Sequence, residues 1–74
     1  MNKLRRKAIE LLSERMETIK EELETIRDEE QEYFENMPES LQGSEKGEAA
    51  EEILGSLEDS LYDMTTAIDS MQEI

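Results

Sequence analysis

The sequence predicts an all-α fold: an antiparallel two-helix hairpin, coiled-coil-like in its packing, that dimerises into a four-helix bundle. Three observations predict it. Two long runs of apolar residues recur at alternating spacings of three and four, and one proline-bearing break separates them. The 74 residues also include only three glycines, one proline, two tyrosines and one phenylalanine, while 39% are charged. That balance suits long surface-exposed helices once a helical period is present.

The first helix is expected over about residues 2–36. Ile9, Leu12, Met16, Ile19, Leu23, Ile26, Tyr33 and Met37 follow the three-four spacing with one miss at Glu30, a pattern that no period of two accommodates. The turn falls at about 37–43, because Pro38 cannot continue a helix and disfavours helical angles in Met37. Gly43 is expected to give freedom for the reversal, and Ser44 to cap the second helix with its hydroxyl. That helix, about 44–73, carries Ala50, Leu54, Leu57, Leu61, Met64, Ile68 and Met71 in unbroken spacing, with Glu45 and Glu48 suited to the positive end of its dipole. Ile53, Ala67 and Ile74 widen its stripe on one flank, as contact with more than one neighbouring helix requires.

A short connection makes the helices antiparallel neighbours in one domain, 1–74. The register that keeps most layers apolar sets Ile9 beside Met71, Leu12 beside Ile68, Met16 beside Met64, Ile19 beside Leu61, Leu23 beside Leu57 and Ile26 beside Leu54. It also sets Arg27 near Glu51 and Lys20 near Glu58, with a slip of one heptad as the alternative. Chains below roughly 70–80 residues commonly need a staple or a partner. This one has no cysteine to form a disulfide, so a homodimer is expected, with a tetramer as the alternative.

Charge is distributed unevenly. Residues 1–27 hold seven of the eight bases and six acids, and residues 28–74 hold one base and fifteen acids, within a total of −13. Such a surface disfavours direct binding to nucleic acid or to anionic membranes. The basic start resembles the head of a signal peptide, but Glu10, Ser13 and Glu14 interrupt the apolar run that should follow; the expected location is the cytoplasm. In the antiparallel hairpin Lys3, Arg5, Arg6 and Lys7 come beside Asp69, Glu73 and the terminal carboxylate, offsetting their unfavourable place in a first helical turn.

The chemistry points away from an enzyme. Histidine and cysteine are both absent, which removes most nucleophile–base pairs, the Glu-x-x-His version of a di-metal bundle site and thiolate metal sites. No calcium-loop pattern occurs, and no cofactor is expected. Glu30, the lone acid on the seam, is expected to fix register or reach solvent. Two surfaces remain as candidates for interaction. Leu4, Ala8 and Leu11 form a short apolar row off the seam, suited to a dimer contact or to an unidentified protein partner. Glu10, Glu14, Glu17, Glu21, Glu24, Asp28 and Glu35 form an acidic stripe, expected on the outer face, whose ordinary role is solvation. Its alternative role is to imitate a nucleic-acid strand, inhibiting a basic host protein by occupying it.

The run from Arg27 to Glu45, with its turn Asn36-Met37-Pro38-Glu39-Ser40-Leu41-Gln42-Gly43-Ser44, resembles small uncharacterised acidic helical proteins of Gram-positive bacteria and their phages and mobile elements. The resemblance spans most of the chain and implies no activity. It does bring in the class of small phage proteins that act by occupying a host protein. The expected function is a non-enzymatic, self-associating module for protein interaction.

Overall fold

Helix α1 begins where Asn2, in extended conformation, accepts a hydrogen bond from the Arg5 backbone N–H through Oδ1 at 2.8 Å, satisfying one of the donors that every helix start leaves free. In the computed structural model, which describes Met1–Ile74, α1 runs Lys3–Glu35, a single turn α2 covers Glu39–Gln42, and α3 runs Glu45–Gln72. Apart from the termini, every residue is helical or in a connection, and no strand forms. The two long helices pack along each other in a rod whose Cα extents are 58 × 15 × 12 Å. A 33-residue helix accounts for about 50 Å of that length.

The connection is more structured than a proline-broken loop. Pro38 opens α2, and its carbonyl accepts from the backbones of Leu41 and Gln42. The Gln42 side chain turns back and donates through Nε2 to the carbonyls of Phe34 at 3.2 Å and Met37 at 3.1 Å. It thereby pairs the Met37 carbonyl and adds a second bond to that of Phe34, which already accepts from the Met37 backbone N–H, tying the connection to the end of α1. Met37 is buried beneath this clasp.

Two expectations about the turn are corrected. Gly43 has φ −86°, an angle open to any residue, and an added Cβ there would meet nothing. The glycine that matters is Gly47, buried in the first turns of α3, where a Cβ would collide with the backbone of Gln42. Ser44 does stand at the start of α3, but its hydroxyl donates to the Leu41 carbonyl and accepts no helix N–H.

The core is thin, as a two-layer chain of this length requires. Ala50, Leu54, Leu61 and Ile68 are buried from α3, Ile68 to 1% exposure, while Leu57, Met64 and Met71 are half-buried. From α1 the one buried residue is Ser13, 3% exposed. Ile9 and Met71 line one cleft at the open end; one turn further in, the antiparallel rise brings Ser13 level with Ile68. The small side chain permits the close approach, but its Oγ has no hydrogen-bond partner. Burial of an unpaired hydroxyl is unfavourable by about 1–3 kcal/mol. Ser13→Ala is therefore expected to stabilise the fold by about 1 kcal/mol, read as a higher urea midpoint at unchanged slope. A lower midpoint would show that the hydroxyl is paired after all.

Candidate interaction surface

Residues seven apart on a coiled-coil-like helix share a row. On α1 the row Ile9, Met16, Leu23 and Glu30 is half-buried, and so is the row Ser13, Lys20, Arg27 and Phe34, with Ser13 fully covered. The row Leu12, Ile19, Ile26 and Tyr33 is not: these four side chains remain 45–54% exposed. Against the sequence-based register, α1 is turned by one row, roughly 50°. Leu12, Ile19 and Ile26, expected against Ile68, Leu61 and Leu54, stay about half exposed. Ser13 is buried on the covered side instead, and Lys20 and Arg27 on its row are half-buried.

On α3 the covered rows are Gly47, Leu54, Leu61, Ile68 and the neighbouring Ala50, Leu57, Met64, Met71, while Ile53, Ser60, Ala67 and Ile74 are exposed beside them. Both helices are right-handed and they run antiparallel, so the uncovered row of α1 and the uncovered row of α3 lie on the same side of the hairpin. Together they make one largely apolar face, Leu12, Ile19, Ile26 and Tyr33 beside Ile53, Ser60, Ala67 and Ile74, with the half-buried Leu57 and Met64 between the rows. Ile53 and Ala67 belong to the widened flank that the α3 spacing already displays.

The opposite side is closed by charge. Arg27 Nη1 donates to Glu58 Oε1 at 3.1 Å and its Nε to Asp28 Oδ1 at 2.7 Å. This replaces the expected Arg27–Glu51 and Lys20–Glu58 pairs. Side chains on a helix lean toward its N-terminus, so in an antiparallel pair Arg27 and Glu58 reach toward each other across about a turn. Hydrogen bonding by Asp28, then by Glu58, raises the Arg27 pKa above its ordinary, already high value. With a raised folded pKa, whatever the arginine contributes is intact at lower pH and is lost only in strong alkali.

The acidic stripe lies on this closed side. Glu17 and Glu24 are half-buried on the flank that faces α3, and Asp28 is engaged by Arg27; Glu10, Glu14, Glu21 and Glu35 are exposed. The stripe is thus the edge of the helix pair, in place of an outer face. Leu4, 82% exposed, and Leu11, about half exposed, stand uncovered near the start of α1. Lys3, Arg5, Arg6 and Lys7 sit at the C-terminal end of α3, but none is within ion-pair distance of Asp69, Glu73 or the terminal carboxylate; Lys7 pairs with Glu10 at 3.6 Å.

No three acidic side chains converge as metal ligands would. No helix is long and apolar enough to cross a membrane. Compared with known protein families, with curated proteins and with solved structures, the chain matches none. Sequence reasoning overlooked the cap at Asn2, although a polar residue before a helical run is its usual signal. It also overlooked Gly47, for which a glycine on the same seven-residue row as Leu54, Leu61 and Ile68 was the available sign.

Proposed function

We propose that this protein is a non-enzymatic, self-associating helical module for protein interaction, and that it works as a homodimer in a four-helix bundle. The observation that carries the reading is area. A globular chain of 8.6 kDa exposes about 4,700 Å², whereas this hairpin exposes 5712 Å². The excess is about 1,000 Å², close to the ~800 Å² that each partner contributes to a stable interface. It coincides with an apolar face on a chain too short to cover both sides of its own helices.

Light scattering at micromolar concentration is expected to give at least twice the 8.6 kDa chain mass. Ile19→Gln/Ile26→Gln, which alters only half-exposed positions of the hairpin, is expected to weaken association at least tenfold. A folded wild-type chain of monomer mass would end this reading.

The acidic edge supports a second reading, a decoy for a basic nucleic-acid-binding protein of the kind used by phages. Glu14, Glu17, Glu21 and Glu24 changed together to glutamine should leave the dimer mass unchanged, because that edge faces away from the apolar side. A basic partner captured by the wild type and released by this variant or by salt would favour the decoy.

A further inference from the structure

We infer that the second copy lies on the apolar face head to tail, with the connection of each hairpin against the open end of the other. The inference rests on the self-association reading above and specifies its geometry. Two hairpins stacked face to face about a twofold axis have two arrangements, with their connections at the same end or at opposite ends.

Charge separates the two. The open end, residues 1–15 and 66–74, holds five bases and four acids, while the connection end, residues 28–52, holds ten acids and one base. Each hairpin is therefore a rod with a nearly neutral, basic-tipped end and a strongly acidic one. Same-end stacking would bring two strongly acidic ends within a helix diameter of each other, and like charges so placed repel. Opposite-end stacking brings the unpaired Lys3, Arg5 and Arg6 beside the acidic connection.

Shape agrees with charge. The exposed row of α1 is centred midway between Ile19 and Ile26, so a twofold axis there sets Ile19 on the partner's Ile26 and Leu12 on the partner's Tyr33. The same register brings Arg15, which has no acidic partner within its own chain, level with the partner's Glu29 and Glu30. Glu22 falls opposite the partner's Glu22 near the axis; it is exposed and remains in water, where such repulsion is weak.

The test is a spin label on Ser40→Cys, at the tip of the exposed connection, in a chain with no other cysteine, read by pulsed dipolar spectroscopy. With the axis between Ile19 and Ile26, head-to-tail stacking predicts a distance of about 45–50 Å, most of the 58 Å rod length. Same-end stacking predicts ~20 Å, since packed helices lie 8–10 Å apart, and would overturn the inference while leaving self-association in place. No dipolar coupling together with monomer mass would overturn both.

Discussion

Leu61→Asp is expected to unfold the hairpin and dissociate it in the same step. Leu61 is buried in the middle of α3, and truncating a buried leucine alone removes roughly 2–5 kcal/mol. The introduced carboxylate must also leave water on the covered side of α3, or force the helices apart. A chain of this length is stable by about 4–11 kcal/mol, so the sum is comparable with the whole. Far-UV circular dichroism should fall toward that of a coil while the mass drops to that of one chain. Tyr62→Asp, at the exposed adjacent position, is expected to change stability by no more than ~0.5 kcal/mol. Equal tolerance of both substitutions would show that α3 does not pack through this side.

Gly47→Ala is expected to be the most damaging of the conservative substitutions, although alanine is the better helix former by about 1 kcal/mol. The new Cβ would fall within contact of the Gln42 carbonyl. Gln42 has little freedom to yield, because its backbone is bonded to Pro38 and its side chain holds the carbonyls of Phe34 and Met37. Any shift that admits the methyl group loosens the clasp on α1, and the net loss is expected at about 2–3 kcal/mol. Gly55→Ala meets open space and should stabilise by up to ~1 kcal/mol. Urea titrations of the two variants should therefore move in opposite directions. If both are stabilised, the close approach of α3 to the connection is wrong.

The two faces of the hairpin follow from the rotation of α1. The rotation places the Ser13 row against α3 with the Ile9 and Glu17 rows half-buried on its flanks, and leaves the Leu12 row outside. Covering the Ser13 row keeps a small residue beside Ile68 and lets Arg27 reach Glu58, while the more apolar Leu12 row stays uncovered. A hairpin with the expected seam would bury more apolar area within one molecule and leave less for association. The observed packing leaves the hairpin with an unfinished core, which the proposed bundle of two copies would complete.

The sequence by itself determined the helices, their break at Pro38, the covered stripe of α3 and the separation of charge along the rod. These follow from local spacing and composition, which depend only on the geometry of the helix and the chemistry of each side chain. Only the tertiary structure decided which side of α1 meets α3, why position 47 must be glycine and how the end of α1 is clasped. The hydrophobic effect is non-directional: it identifies Leu12, Ile19, Ile26 and Tyr33 as residues that favour burial without specifying whether α3 or a second copy buries them. That choice depends on how closely two backbones approach, and closeness at Ser13 and Gly47 is a property of the packed pair that periodicity does not encode.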